Sequence, residues 1–327
     1  MARPPAALRV AKPSPTVPRD ALPAEARAAV LAWFAEVGRA LAFRGTRDPY
    51  AILVSEVMAQ QTQVARVVVA WGRFMNRFPT VAALAAATPA DVLRAWQGMG
   101  YDRRALNLRR AARAIVETHG GRVPNDVAAL ERLPGIGPYT ARAVASIAYG
   151  ARVGAVDTNV RRVLGRVLAG QDAGALTPTE LQSMADASVD PERPGDWTHA
   201  IMDVGATVCR PRSPRCEACP LEAWCRFATS RPDASSSAVP SARGSPASRA
   251  TRVSRVRGVP FSATTRWLRG RIVDRLRSAS GSAWSTVAAP VGDHDATAVR
   301  AALAALARDG IIERHETDPD RARLAIR

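Results

Sequence analysis

A turn-rich stretch, LPGIGPYTA at residues 133–141, decides the fold of this chain. Gly135 and Gly137 are separated by one residue and allow a tight hairpin whose amides stay exposed. Pro138 suits the first turn of the helix that follows, because its missing N–H would have no partner there. Exposed amides at a helix N-terminus bind anions, and the anion expected here is a DNA phosphate. On its own, the stretch is equally typical of an ordinary corner between two helices.

Helical patterns extend on both sides of this hairpin. No stretch between Ala24 and Phe227 alternates apolar and polar residues for long enough to predict a sheet, so this part is expected to be all-α. The predicted helices are Ala24–Phe43, Tyr50–Phe78, Pro89–Trp96, Arg103–Thr118, Pro138–Tyr149, Thr158–Leu168, Pro178–Ser188 and Trp197–Thr207.

The flanking segments differ in composition. Residues 1–23 are expected to form a disordered tail, and 24–228 the helical domain. Residues 229–258 are rich in serine, proline and arginine, which predicts a basic flexible linker. Residues 259–327 regain an apolar pattern, with helices predicted over Trp267–Leu276 and Thr297–Asp309 and a short β-hairpin after them. This small C-terminal module resembles a winged helix.

Two acidic residues are candidates for chemistry. Asp157, in VDTNVRR at 156–162, stands at the start of a predicted helix. Its ordinary role is an N-cap, although such a residue can also present one oxygen to a ligand. Glu56, in SEVMAQQTQV at 55–64, shares a helix face with Gln60 and has apolar neighbours. It either lies on the solvated side of the helix or is buried with a raised pKa.

The four cysteines form one group. They follow the pattern Cys209-x6-Cys216-x2-Cys219-x5-Cys225, and the other 323 positions contain none. A secreted disulfide framework would spread its cysteines along the chain, so this spacing indicates a metal or cluster site in a cytoplasmic protein. Zinc usually takes two Cys-x2-Cys pairs, and only one is present, which favours a [4Fe–4S] cluster over zinc without excluding it.

Charge indicates the class of partner. The 327 residues carry 46 basic and 29 acidic side chains, a net charge of +17, which favours a polyanion. Lys12, in the proline-rich tail, is the only lysine, so the rest of the chain has none to form a Schiff base. No apolar run approaches the roughly 20 residues of a membrane helix, and the N-terminus has no secretory signal. The expected location is therefore cytoplasmic, associated with the nucleoid.

Four motifs carry a resemblance: residues 55–64, 133–141, 156–162 and the cysteines at 209–225. In their order along the chain and at their intervals, they resemble the helix-hairpin-helix DNA glycosylase superfamily, and within it the adenine DNA glycosylases of the MutY type. The similarity runs from about Arg44 to Phe227. It implies a fold of two helical lobes with a flipped base held between them. One lobe would be Thr46–Tyr149, and the other would combine the N-terminal helix with Ala151–Phe227. It also implies that the cysteines at 209, 216, 219 and 225 hold a [4Fe–4S] cluster.

The resemblance assigns roles residue by residue. Glu56 would protonate the departing adenine, and Asp157, with Asn159 beside it, would stabilise the sugar cation. Tyr139 stands where the endonuclease III branch has its nucleophilic lysine, which implies a monofunctional enzyme. The positions matched to substrate or DNA contacts are Arg44, Gln61, Met99, Tyr101, Gly135, Gly137 and His199. Among these, Gln61 and Tyr101 match residues that enter the base stack.

Three departures from the family pattern stand out. Asp102 follows Tyr101 where the family often repeats tyrosine. His199 replaces the usual Gln or Glu against adenine. The C-terminal module is too short for the Nudix-like domain that reads 8-oxoguanine, and Phe261-Ser262 is followed by Ala263 rather than by histidine.

The function expected is that of a monofunctional DNA glycosylase in base excision repair. Its substrate would be duplex DNA with adenine opposite 8-oxoguanine or guanine, and it would act as a monomer without a membrane. Two alternatives stay open. One is a related glycosylase for another base, such as thymine opposite guanine, and the other is a non-catalytic DNA-binding protein on the same scaffold.

Overall fold

The computed structural model describes residues 20–171, 176–229, 260–279 and 283–326. The predicted tail and linker therefore lie almost wholly outside the described residues and stay predictions. Within the described residues, no helix combines the length and the apolar character needed to cross a membrane. Contacts group the chain into two compact units. Unit 1 contains the residues up to Glu56, then Val123–Arg132, then those from Ile136 to Thr229, while unit 2 contains Val57–Arg122, Leu133–Gly135 and the described residues from Pro260 onward.

The α-helices confirm the predicted order of elements and add three short ones, α4, α7 and α12, while α1 ends at Val37 rather than at the predicted Phe43. They are α1 (Ala24–Val37), α2 (Pro49–Ala59), α3 (Val64–Arg77), α4 (Val81–Ala86), α5 (Pro89–Ala95), α6 (Arg103–His119), α7 (Val127–Glu131), α8 (Pro138–Tyr149), α9 (Thr158–Leu164), α10 (Pro178–Ala187), α11 (Pro194–Asp203), α12 (Arg226–Thr229), α13 (Thr265–Arg277) and α14 (Ala296–Arg308). Two π-helical turns, Gly165–Ala169 and Val204–Val208, continue α9 and α11.

Unit 1 is built around α8 and α11. The two helices pack against each other, α1 packs on α11, and α9 packs on the second π-helical turn. The buried hydroxyl groups of Ser146 on α8 and Thr198 on α11 lie 2.8 Å apart and hydrogen-bond. The lobe boundaries implied by the resemblance are therefore wrong for α8, which belongs with the C-terminal helices of unit 1, and the division between units falls inside α2.

Unit 2 combines α3–α6 with the C-terminal residues. Phe74 lies in its core, with ring centroids 5.1 Å from Phe78 and 5.8 Å from Trp96 in edge-on contacts. The C-terminal residues contribute α13, α14 and three antiparallel strands in the order β1-β3-β2, which are β1 (Ser285–Thr286), β2 (Ile312–Arg314) and β3 (Arg321–Leu324). The two predicted helices and the hairpin of the module are thus confirmed.

The prediction of one helix over Tyr50–Phe78 is wrong. It is two helices, α2 and α3, because Gln61 adopts a left-handed backbone with a φ of +55°. The Arg104 guanidinium satisfies the carbonyls left open at the end of α2, donating to those of Val57 at 2.8 Å, Met58 at 3.0 Å and Gln60 at 2.6 Å. Neither glycine nor proline marks this break, so the sequence pattern alone did not indicate it.

Candidate active site

Glu56 is buried in α2 and bound by a phenol. Glu56 is only 7% exposed, and the Tyr139 hydroxyl donates a hydrogen bond to Glu56 Oε2 at 2.9 Å. Burial raises the pKa of Glu56 to about 7, and the negative charge of Asp157 also raises it. The Tyr139 hydrogen bond and the positive charge of Arg44 lower the pKa and offset part of this effect. Of the two alternatives for Glu56, the buried one is therefore observed.

Tyr139 is the second residue of α8, directly after the hairpin. Burial, followed by the nearby carboxylates of Glu56 and Asp157, raises its pKa well above the usual value for tyrosine. The hydroxyl therefore stays protonated and acts as a donor to Glu56. It also lies 3.6 Å from the sulfur of Met202.

Asp157 caps α9 and is held by three N–H donors. Its Oδ1 accepts from the backbone amides of Asn159 at 2.8 Å and Val160 at 2.7 Å, while Oδ2 accepts from Asn159 Nδ2 at 2.8 Å. The capping role and a fixed carboxylate thus coexist in one residue. Because Asp157 affects the pKa of both Glu56 and Tyr139, the two acidic candidates belong to one electrostatic site in unit 1.

Asn159 is itself anchored to the cysteine segment. Its Oδ1 accepts from Arg162 at 2.9 Å, and the same guanidinium donates to the carbonyls of Cys209 at 2.6 Å and Gly205 at 2.7 Å. Gly205 has to be glycine here, because a Cβ atom would lie 2.5 Å from that of Asn159. This close approach fixes the amide that orients Asp157.

Sequence reasoning missed the buried carboxylate of Asp203. It is fully buried and accepts from the guanidinium groups of Arg44 and Arg39, and from the Arg39 amide at 3.0 Å. These hydrogen bonds overcome burial and lower the pKa of Asp203 to about 2. Arg44, predicted to line the base pocket, is thus held in place within unit 1 by this ion pair. No spacing rule links position 203 to positions 39 and 44.

His199 lies on α11, one turn before Asp203. Burial and the positive charge of Arg44 lower its pKa to about 3, so the ring is neutral at physiological pH. A neutral imidazole offers one donor and one acceptor. Within the described part of the chain, neither ring nitrogen makes a hydrogen bond to the protein.

The two residues matched to the base stack share a backbone property in unit 2. Among the described residues, Gln61 and Tyr101 are the non-glycine positions with positive φ, at +55° and +50°. Strained backbone of this kind is concentrated at functional sites. Arg104 holds both turns, because it donates to Gln60 O at 2.6 Å and to Gly100 O at 3.2 Å, and its guanidinium lies 5.4 Å from the Tyr101 ring centroid.

The hairpin has the expected geometry. Gly135 has a φ of +79°, and a Cβ atom there would lie 2.6 Å from Asn107 Cβ, so glycine is required. Gly137 is the N-cap of α8 and is exposed, and no side chain caps this helix. Met99, in contrast, is 4% exposed, so its side chain supports the turn from the core of unit 2.

The four cysteines line one pocket in unit 1. All four are free of disulfide bonds. Arg166, which is 2% exposed, lies at the wall with its guanidinium 3.5 Å from Cys209 Sγ and 4.8 Å from the Phe227 ring centroid. Within the described residues, no three His, Cys, Asp or Glu side chains are arranged to hold a single metal ion.

Comparison with known proteins follows the same residues. The model of the family described as "HhH-GPD superfamily base excision DNA repair protein" matches residues 54–187, which include Glu56, the hairpin and Asp157. The adenine DNA glycosylase of Mycobacterium tuberculosis (strain H37Rv) is 42% identical over 253 residues, covering 76% of this chain and 78% of the relative. That of Mycolicibacterium smegmatis is 41% identical over 287 residues, covering 87% and 91%. This chain belongs to the adenine DNA glycosylase family.

Family membership makes the protein a DNA glycosylase of base excision repair. The human adenine DNA glycosylase is 44% identical, but over 61% of this chain and 39% of its own length. The Mycolicibacterium match covers 87% of the 327 residues and therefore must extend beyond residue 258 into the C-terminal module.

Solved structures agree on the fold. A thermostable thymine-DNA glycosylase is 29% identical with a TM-score of 0.59, covering 62% of this chain and 94% of that one. A non-covalent complex of endonuclease III with DNA is 25% identical with a TM-score of 0.53, again over 62% and 94%.

Proposed function

We propose that this enzyme hydrolyses the N-glycosidic bond of adenine opposite 8-oxoguanine or guanine in duplex DNA, acting as a monomer at the nucleoid. The observation that carries the proposal is Glu56, a buried carboxyl with a pKa of about 7 that lies in one electrostatic site with Asp157. Such a pair, a buried acid that can donate a proton and a second carboxylate held by three N–H groups, supplies both requirements of glycosidic cleavage.

Glu56 is the general acid. Adenine is a poor leaving group until one of its ring nitrogens is protonated. A carboxyl with a pKa of about 7 is protonated in about half of the molecules at pH 7, whereas one with the usual pKa of 4.5 would be almost fully ionised. When the bond between the base and C1′ of the sugar breaks, its electron pair leaves with the protonated adenine. Water then adds to C1′, and the Glu56 carboxylate accepts the proton that the water loses.

Asp157 stabilises the positive charge that forms on the sugar. The three N–H groups that bind its oxygens keep the carboxylate in one orientation without neutralising it. Tyr139 holds Glu56 Oε2 through its hydroxyl, and a phenol forms no imine with the sugar. We therefore expect a monofunctional glycosylase that leaves the DNA strand intact.

We further propose that Cys209, Cys216, Cys219 and Cys225 bind a [4Fe–4S] cluster. The four free thiols line one pocket, and their spacing contains one Cys-x2-Cys pair rather than the two that zinc usually takes. A cluster distributes its four ligands over separate irons and suits this arrangement. Its contribution would be structural, holding residues 209–225 in place together with the exposed arginines at 210, 212 and 215.

An iron measurement tests this assignment. Protein purified without oxygen should be brown, absorb broadly near 400 nm and contain about four irons per chain. Stoichiometric zinc without iron would contradict the proposal.

Residues 259–327 are proposed to be a winged-helix-like DNA-binding module. Two helices and a three-stranded antiparallel sheet are present, and arginines at 266, 271 and 275 of α13 are exposed. DNA contacts by such arginines are sequence-independent and weaken with salt.

The decisive experiment is a base-excision assay. Duplexes with adenine, thymine or uracil opposite guanine and 8-oxoguanine are incubated with the full-length protein and then cleaved with alkali. We expect excision of adenine alone. Excision of thymine opposite guanine would favour the alternative that the thymine-DNA glycosylase fold neighbour raises. No excision at all would favour a non-catalytic DNA-binding protein.

Strand chemistry is tested separately with borohydride. Because Lys12 is the only lysine, no covalent DNA adduct should be trapped beyond background. An adduct that persists after removal of residues 1–20 would contradict the monofunctional assignment.

A further inference from the structure

We propose that the C-terminal module completes a base-stacking surface on the turn that contains Tyr101, between α5 and α6 (the Tyr101 turn). The module would thus act at the step in which the mispaired base leaves the DNA helix. The stacking surface consists of Tyr101, Arg266 and Phe261. The inference rests on the proposed function for the contact of Tyr101 with DNA. The stacking role goes beyond the proposed function because it gives the C-terminal module a role other than phosphate binding.

The first observation is how the module is attached. Within unit 2, the Arg277 guanidinium of α13 forms an ion pair with Asp102, and the two side chains are only 6% and 11% exposed. Arg277 also donates to the Leu93 carbonyl of α5 at 2.9 Å and to Asp274 at 2.7 Å. A buried ion pair between specific partners fixes orientation, so α13 is held in one position against the Tyr101 turn.

The ion pair with Arg277 gives Asp102 a structural role. The family often has a second tyrosine after Tyr101, and this chain has a carboxylate there instead. Tyrosine carries no negative charge at physiological pH and would remove the more buried of the two carboxylates that pair with Arg277, leaving only Asp274. In this chain, Asp102 therefore joins the turn at Tyr101 to α13 of the C-terminal module.

The second observation is what the attachment places next to Tyr101. The Arg266 guanidinium lies 4.2 Å from the Tyr101 ring centroid and 6.0 Å from that of Phe261. Tyr101 is 41% exposed and Phe261 is 62% exposed, so both side chains are accessible to a partner. Arg104 lies 5.4 Å from the Tyr101 centroid, so two guanidinium groups contact this ring. A cation near an aromatic face is attracted by the negative charge of the ring face.

The chemistry of this surface identifies its partner. Exposed aromatic rings and planar guanidinium groups stack on nucleobases, and the positive charge of Arg266 suits the phosphate backbone. A duplex from which one base has flipped exposes the faces of the neighbouring bases, which a wedge must cover. We therefore assign the stacking surface to the bases beside the mispair in duplex DNA.

The experiment compares variants of the full-length protein in two measurements. The first is the single-turnover rate of adenine excision at saturating enzyme. The second is the fluorescence of 2-aminopurine placed beside the mispaired adenine, which rises when its stacking partner leaves. The adenine sugar carries a 2′-fluoro group, so that the bond stays intact during the second measurement.

Phe261→Ala and Arg266→Gln should each lower the excision rate by about 5- to 100-fold, the range for loss of one stacking contact. The fluorescence rise should fall with them. Phe261→Tyr should keep both signals because it keeps the ring, and Arg266→Lys should restore affinity better than rate because it keeps charge without a planar face. Arg277→Gln should reproduce the loss although every stacking residue is intact.

Matched controls are Arg113→Gln and Val69→Ala. Arg113 is an exposed arginine of unit 2 paired with Glu117, and Val69 is an exposed apolar side chain of the same unit. Both variants should excise at the wild-type rate. If Arg266→Gln and Phe261→Ala lower affinity alone and leave the rate at saturation unchanged, the module contributes only charge and the inference is wrong. Failure of the wild-type protein to excise adenine would instead refute the proposed function.

Discussion

Two buried carboxyl groups in unit 1 behave in opposite ways. Glu56 is 7% exposed and has a phenol as its hydrogen-bond partner, and its pKa is raised to about 7. Asp203 is fully buried but accepts from two guanidinium groups, and its pKa is lowered to about 2. Burial penalises the charge in both cases. The charge of the partner therefore decides which carboxyl keeps its proton and which holds the fold together.

The largest effect is expected at the acid. Glu56→Gln should slow single-turnover adenine excision by about 10² to 10⁴-fold, the contribution of general acid catalysis, with DNA binding nearly intact. Glu117→Gln on α6 makes the same chemical change at an exposed residue and should excise like the wild type. A Glu56→Gln variant with wild-type rates would remove Glu56 from the mechanism.

The next largest effect should be on stability. Asp203→Asn leaves the guanidinium of Arg44, 11% exposed, without its carboxylate, and breaking a buried pair costs about 3–5 kcal/mol. Asp320→Asn removes a largely exposed pair with Arg300, where solvent screens both charges and little change in stability is expected. Urea denaturation of both variants measures the difference. Equal shifts of the two midpoints would show that Asp203 is not the anchor described here.

The two carboxyl groups should also give opposite dependences of stability on pH. The pKa of Glu56 is raised from 4.5 to about 7, so its protonation stabilises the folded state below pH 4.5, and this stabilisation is lost as pH rises to 7. The pKa of Asp203 is lowered from 3.8 to about 2, so its contribution is present above pH 3.8 and lost as pH falls to 2.

Comparison of each variant with the wild type isolates these contributions. The unfolding free energy of Glu56→Gln relative to the wild type should increase between pH 5 and 8. That of Asp203→Asn should stay constant over the same interval. A pH-independent difference for Glu56→Gln would mean that the Glu56 pKa is not raised.

The smallest effect concerns the hydrogen bond from Tyr139. The bond lowers the pKa of Glu56, so Tyr139→Phe should move the alkaline limb of the excision profile above the wild-type position near pH 7. At pH 6, where the acid is protonated in both proteins, the rates should differ by only a few-fold. Tyr149→Phe, on the same helix but bound to the Val123 carbonyl, should leave the limb in place. A limb that moves to lower pH in Tyr139→Phe would contradict this account.

Local patterns predicted much of the fold. Apolar periodicity gave the order of the helices, and Pro138 and the paired glycines gave the hairpin and the start of α8. The helix break at Gln61 was missed because it depends on Arg104, a residue 43 positions away that binds the open carbonyls of α2. Short helices such as α4 have too few residues for their periodicity to be recognised.

The residues of the candidate site were likewise only partly identified from the sequence. Motif spacing and the resemblance identified Glu56, Tyr139, Asp157 and the cysteines as candidates, and the structure brings the first three into one electrostatic site. The pKa of Glu56 was left open between two alternatives, because it depends on which side of α2 is buried. Arg39 and Asp203 were not identified at all, since their contact joins positions 164 residues apart.

The sequence by itself determined the helical class, the hairpin, the clustered cysteines and the absence of lysine from the body of the chain, since each is a matter of local spacing or composition. Only the tertiary structure decided which arginines meet which carboxylates. With 46 basic side chains, nearly all of them arginine, the sequence offers many equivalent pairs. Packing selects Arg44 for Asp203 and Arg277 for Asp102, because these distant residues share buried positions where an unpaired charge would be costly.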